Sequence, residues 1–121
     1  MNINSASTGN DLEELALAIH ELVNRLPLTM RTKTQLGVRV EEGKVIDYNY
    51  TGPALEKVIL DGKISHDVPK KGPYKGIPVM VVPIFDKKEI IAAVGVVDTT
   101  QGIYSDLIQI TKRPEEINKG D

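Results

Sequence analysis

Residues 77–100 read IPVMVVPIFDKKEIIAAVGVVDTT. Two apolar runs flank the charged turn Asp86-Lys87-Lys88-Glu89, the pattern of a β-hairpin with a solvent-exposed connection. The second run, 90–97, carries no polar side chain and therefore predicts a strand covered on both faces. In the first run, Pro78 and Pro83 each lack a backbone donor, which predicts a bulge or an unpaired side there and makes that strand the better candidate to border a pocket. Ala92, Ala93 and Gly95 leave little side-chain volume on the second strand, so a helix can pack closely on one face or a ligand can approach on the other.

Upstream, residues 36–40 and 45–50 flank Glu41-Glu42-Gly43-Lys44 and read as a second hairpin. Leu36, Val38 and Val40 share one face of its first strand while Arg39 points the other way; Ile46, Tyr48 and Tyr50 alternate with Asp47 and Asn49 in its second. Between the hairpins, Pro53 opens a short helix through Leu55, Val58 and Ile59 that stops at Asp61-Gly62. Residues 63–68 read as a short strand cut off by Pro69, and 70–76, KKGPYKG, as a loop. Before the hairpins, Leu12, Leu15, Ala16, Ile19, Leu22, Val23 and Leu26 recur at helical spacing, with Asn10 or Asp11 as N-cap and Pro27 as the stop. Such a stripe must lie on the sheet or on a second copy of itself. Residues 28–34, LTMRTKT, read as a polar connection, and Ile103, Leu107 and Ile108 predict a final short helix. The expected fold is thus α+β: a single antiparallel sheet of about five strands, flanked by an N-terminal amphipathic helix, a short middle helix and a C-terminal helix, in one domain over 9–111 with flexible tails at 1–8 and 112–121.

The composition narrows the function. At 121 residues and 40% hydrophobic the chain suits one domain with a real core. Fifteen basic against seventeen acidic residues give a net charge of −2, so a generalised nucleic-acid or membrane surface is not expected. There is no cysteine, which excludes disulfides, thiolate metal sites and a cysteine nucleophile. The first residues show neither the basic nor the apolar part of a signal peptide, and a cytoplasmic location is expected. No Ser-His-Asp order, paired-carboxylate motif or HExxH phrase appears, and no enzyme activity is expected.

Two phrases carry a resemblance. Residues 51–64, TGPALEKVILDGKI, look like the helix of GAF domains that ends in a "vletGepi" phrase, and residues 82–98 look like the "vPi…ngevigvigvvd" hairpin that closes GAF and related small-molecule sensor domains. The element order is similar to that of GAF, PAS and other profilin-like domains. Across nearly its whole length the chain also resembles a domain-of-unknown-function family of methanogenic archaea, through the phrases GPYKG and VGVVD. The resemblance implies a ligand-sensing or dimerising domain, here a homodimer with no output domain attached.

A ligand, small molecule or anion, is expected under the 70–76 loop, where Lys70, Lys71 and Lys75 supply charge around flexible glycine backbone. Tyr48, Tyr50, His66 and Tyr74 are the candidate walls and polar contacts. The ordinary alternative is a solvated basic loop, since the GK[ST] ending of a phosphate loop is missing. His20 and His66 have no ligand partners at metal spacing and read as structural or surface residues, and Arg25, Arg31, Lys33 and Arg39 read as a solvated face. The function expected is therefore a small-molecule-binding sensor or accessory domain, cofactor unknown; the alternative is a profilin-like interaction or dimerisation scaffold with no small ligand.

Overall fold

The computed structural model describes residues 1–98. The expected C-terminal helix lies outside these residues. The elements in chain order are α1 (Gly9–Leu22), β1 (Leu28–Thr32), β2 (Gly37–Glu41), β3 (Lys44–Tyr50), α2 (Pro53–Asp61), β4 (Ser65–Asp67), β5 (Val79–Asp86) and β6 (Glu89–Val97). All six strands form one antiparallel sheet in the order β3-β2-β1-β6-β5-β4.

The sheet has six strands rather than five because 28–32 is not a connection. Leu28-Thr29-Met30-Arg31-Thr32 alternates, with Leu28 and Met30 fully buried on one face and Thr29 and Arg31 on the other. The strand pairs on both sides, Leu28 opposite Val40 of β2 and Val96 of β6. Its polar residues find partners within the fold. Arg31 donates from Nε to the Thr32 carbonyl at 3.0 Å and from a terminal nitrogen to Thr51 Oγ1 at 2.8 Å, and Thr32 Oγ1 donates to the Ser7 carbonyl.

The two helices lie on opposite faces. α1 covers β1, β2 and β3, burying Leu12 and Ala16 against Leu28, Met30, Val38 and Val40. Its stripe therefore uses the sheet of the same chain, and each of the large aliphatic side chains contributes roughly 1.5–3 kcal/mol. On the other face, α2 packs Leu55 and Val58 on Val79, Val81, Ala93 and Val97. It runs between the expected limits, with Pro53 in the first turn and Gly62 in the left-handed conformation at φ 68° closing its end.

α1 begins and ends away from the expected positions. Thr8, not Asn10 or Asp11, is the N-cap: its hydroxyl accepts from the Asp11 N–H at 3.4 Å while the Asp11 carboxylate accepts from the Thr8 N–H at 2.8 Å. The residues before it are tied to the sheet, since Ser7 is buried and the Ser5 carbonyl accepts from both Thr34 N–H and Thr34 Oγ1 at 2.9 Å. The helix stops at Leu22, four residues short of Leu26, because His20 reaches forward and captures the following turn. The fully buried His20 ring makes a 2.8 Å bond from Nδ1 to the Leu26 carbonyl and a 3.0 Å bond between Nε2 and the Gly43 N–H. The amide can only donate, so Nε2 accepts and Nδ1 carries the proton. One neutral imidazole thus fastens α1 to both the turn before β1 and the β2–β3 hairpin. Leu22, expected within the stripe, is 81% exposed.

The opening hairpin forms as expected. Lys87 and Lys88 occupy its turn at φ 51° and 72°, and β5 pairs with β6 from Val79–Val97 to Asp86–Glu89. The irregularity falls between Ile84 and Phe85 rather than at a proline. Pro83 is tolerated because β4 pairs only with Val79 to Val81, so no described strand adjoins β5 on its outer side at that point.

Gly37 is the closest approach in the sheet: a Cβ there would stand 1.8 Å from the Met30 carbonyl oxygen and 2.6 Å from Arg31 Cα. Gly37→Ala should cost about 3 kcal/mol through forced strand separation, seen as a lower urea midpoint at unchanged slope. His20→Leu should cost about 2 kcal/mol in the same measurement, because it strips partners from the Gly43 N–H and the Leu26 carbonyl.

Candidate functional site

The α2 face of the sheet is not filled evenly. Helix α2 sits over β5 and β6, whereas the 68–78 loop folds back over β1 and β2 and inserts Tyr74, which is only 8% exposed. The loop is closed by backbone bonds from Gly76 N–H to the Pro69 carbonyl at 2.9 Å and from Ile77 N–H to the Tyr74 carbonyl at 3.0 Å. Gly72 and Gly76 adopt φ 89° and 79°, where a Cβ would be strained.

Between α2 and the inserted tyrosine lies a narrow cavity of about 30 Å3. Thr29, Val81, Gly95 and Val97 supply the sheet side, Tyr50 and Tyr74 the walls, the first turn of α2 the opposite side, and Pro69 and Lys71 the mouth. A shallower groove of about 300 Å3, lined by Lys57, Asp67, Val68, Lys70 and the same Pro53, Ala54, Pro69 and Lys71, adjoins it. The arrangement is an apolar slot opening at Lys71 onto a groove bearing three lysines, one of which, Lys57, lies 3.9 Å from Asp67.

Tyr74 is held by a charged pair from β2. Its hydroxyl donates to Glu41 Oε2 at 2.7 Å and accepts from Arg39 Nε at 3.1 Å, Arg39 also contacts Glu41 at 2.9 Å, and the guanidinium carbon lies 5.3 Å from the centre of the Tyr74 ring. Burial, reinforced by the hydrogen bond to Glu41, pushes the Tyr74 phenol far above its usual range despite the opposing effect of Arg39. Burial likewise raises Tyr50.

The structure brings three of the seven candidate residues, Tyr50, Lys71 and Tyr74, around the cavity, with Lys70 on the adjoining groove. The other three lie elsewhere. Tyr48 is on the α1 side of the sheet, donating its hydroxyl to Glu13. His66, on the outer strand β4, is exposed with Nδ1 3.5 Å from the Asp98 carboxylate. Lys75 is exposed in the loop's inner turn, where its N–H donates to the Gly72 carbonyl at 3.2 Å. Thr29, Arg39 and Glu41 were not among the candidates. Arg39 is half-buried and paired rather than part of a solvated face, and its signal was the alternation that sets it opposite Val38 and Val40.

Among the described residues there is no group of three or more His, Cys, Asp or Glu side chains able to hold a metal ion. No helix among them is long and apolar enough to cross a membrane.

Among the described residues, the site and sheet together define an α+β fold built on one antiparallel sheet, with one helix on each face and a loop-closed cavity. This chain belongs to a protein family of archaea: the family described as "Uncharacterized protein conserved in archaea (DUF2111)" matches residues 19–100. An uncharacterised protein of Methanocaldococcus jannaschii is 44% identical over 115 residues, which cover 95% of this chain and 88% of that protein. No solved structure matches the chain. The archaeal family agrees with the resemblance carried by GPYKG and VGVVD.

Tyr74→Phe should cost only about 1 kcal/mol, because Arg39 and Glu41 remain paired with each other. The phenol ionises near pH 10 in the unfolded chain and at higher pH in the folded one, so its contribution is complete below pH 10 and lost as pH rises. Unfolding free energy measured from about pH 9 to about pH 11 should therefore fall more steeply in the parent chain than in Tyr74→Phe.

Proposed function

We propose that this protein is a small-molecule-binding domain of the GAF/PAS-like sensor type, acting as a sensor or accessory subunit rather than as an enzyme. The observation that carries the reading is the contiguity of apolar slot and lysine-bearing groove at Lys71. A slot of about 30 Å3 has room for one or two waters, whereas ligand pockets run to roughly 300–1,000 Å3. The ligand that fits is a small amphiphilic anion: a short apolar end in the slot between Tyr50 and Tyr74, and the anionic part in the groove near Lys70 and Lys71. Deeper entry requires Tyr74 to leave Arg39 and Glu41, so ligand entry and loop opening are one event. The GAF/PAS-like plan is supported by the two resembling phrases and by the single sheet with helices on both faces.

A second reading, an interaction or dimerisation scaffold, draws on exposed apolar side chains away from the cavity: Leu22 on α1, and Ile64 and Val68 flanking the outer strand β4. Native mass spectrometry of protein purified from its archaeal host reports both retained ligand and oligomer mass. Titration with linear carboxylates from acetate to octanoate should shift the ring signals of Tyr50 and Tyr74, and Lys71→Glu should weaken that binding at least about fivefold, roughly 1 kcal/mol. Absence of retained mass together with unmoved tyrosine signals would reject the ligand-binding reading, and a dimer with an empty slot would favour the scaffold.

A further inference from the structure

Helix α2 starts without a side-chain cap. Gly52 stands at its N-cap, and Pro53 in the first turn has no N–H. The first backbone bond into the helix runs from the Glu56 N–H to the Gly52 carbonyl at 3.0 Å, so the Ala54 and Leu55 amides have no acceptor among the described residues. Both residues line the slot. A capping side chain has no room at position 52, because a Cβ there would stand 2.7 Å from Tyr50 Oη. The tyrosine hydroxyl thus takes the place of the cap without bonding the helix.

Two hydroxyls line the same slot. Thr29 is 9% and Tyr50 8% exposed, and neither oxygen has a hydrogen-bond partner among the described residues. Every fully enclosed side-chain oxygen or nitrogen of those residues is bonded, so these two are open to the slot. Thr29 is left uncovered because its neighbour in the β1–β6 pairing is Gly95, where a Cβ would stand 3.3 Å from Thr29 Oγ1. Burial raises the Tyr50 phenol above its usual range, which keeps it a donor at neutral pH. Two amides and two hydroxyls, all able to donate, are therefore set in a mainly apolar lining.

We propose, resting on the ligand-binding reading above, that the slot recognises a neutral acceptor oxygen on the ligand's apolar stem and that the ligand is an oxo-carboxylate. Its carboxylate lies at Lys70 and Lys71, and its ketone oxygen is held by the α2 amides with Tyr50 and Thr29. A ketone oxygen accepts hydrogen bonds and donates none, which matches donors that have no acceptor. A plain alkyl end would expel water from the slot and leave those donors without partners, weakening binding. The helix start also carries partial positive charge, which favours an electron-rich oxygen there. The charged end of the ligand stays in the groove, where the lysines meet it and water still reaches it.

The test compares levulinate, a keto acid, with valerate, the same chain without the ketone, by NMR titration of the full chain. Both should move the ring signals of Tyr50 and Tyr74. Levulinate alone should move the Ala54 and Leu55 amide signals, and it should bind at least about fivefold tighter. Thr29→Val and Tyr50→Phe each remove one hydroxyl at nearly constant volume, and each should bring the ratio of the two affinities toward one. Equal affinities in the parent chain, with unmoved Ala54 and Leu55 amides, would overturn the proposal and leave the ligand-binding reading standing. Amide shifts with valerate would put the carboxylate itself at the helix start and overturn it as well. If neither acid moves the tyrosine rings, the ligand-binding reading fails and this inference with it. If a variant does not fold, the affinity ratio and amide signals of the parent chain decide.

Discussion

Strand β1 is the seam of this protein. Without it the chain contains two separate units: β2 and β3, joined by a tight turn, and β5 and β6 with the short β4 at their outer side. β1 fills the gap by bonding to β2 on one edge and to β6 on the other, and this fixes which residues share a face. Leu28 and Met30 meet Val38 and Val40 to one side and Val96 and Val94 to the other, so the α1 core runs without a break across three strands. Thr29 and Arg31 fall on the opposite face, where Thr29 borders the cavity and Arg31 reaches Thr51 ahead of α2. A slip of one residue would put Met30 into the cavity face and Arg31 under α1.

The helix-to-sheet plan and both hairpins were legible in the sequence because each reports its own local period. β1 was not, because Arg31 and Lys33 next to a proline-terminated helix read as a solvated link, and a five-residue alternation with one charge is a faint signal. What rescues it is the pairing with β2 and β6 on its two edges, together with Arg31, which donates to Thr51 twenty residues away and to the carbonyls of Thr32 and Lys33 that follow it. The early end of α1 was hidden for a related reason. Helical spacing continues to Leu26, but His20 competes for the chain beyond Leu22, and Asn24 and Arg25 both turn left-handed at φ 59°. A histidine one position off an apolar stripe gives no warning that it is the buried residue and Leu22 the exposed one.

The cavity was legible in part. The loop with its lysines and Tyr74 stood out by composition, and Tyr50 by its place at the end of an alternating strand. Tyr48 and Tyr50 belong to one strand and were expected on one face. The register between β2 and β3 is irregular between Gly37 and Val40, and the two tyrosines end up bonded to different layers: Tyr48 to Glu13 of α1, Tyr50 in the α2 core. The charged pair that holds Tyr74 escaped notice because its members lie on β2 while Tyr74 is more than thirty residues later, and no spacing rule joins them.

The pairing of Leu28 with Val96 also sets an order of assembly. Closing a loop of that length costs about 4 kcal/mol of chain entropy, whereas β2–β3 and β5–β6 close over short turns. The two hairpins can therefore exist before the sheet does, and in that interval β2 and β6 each present an open backbone edge that β1 will later occupy. Those edges are the surfaces on which a partly folded chain can pair with β1 of a neighbour instead of its own, giving an exchanged dimer that repeats every contact of the native seam.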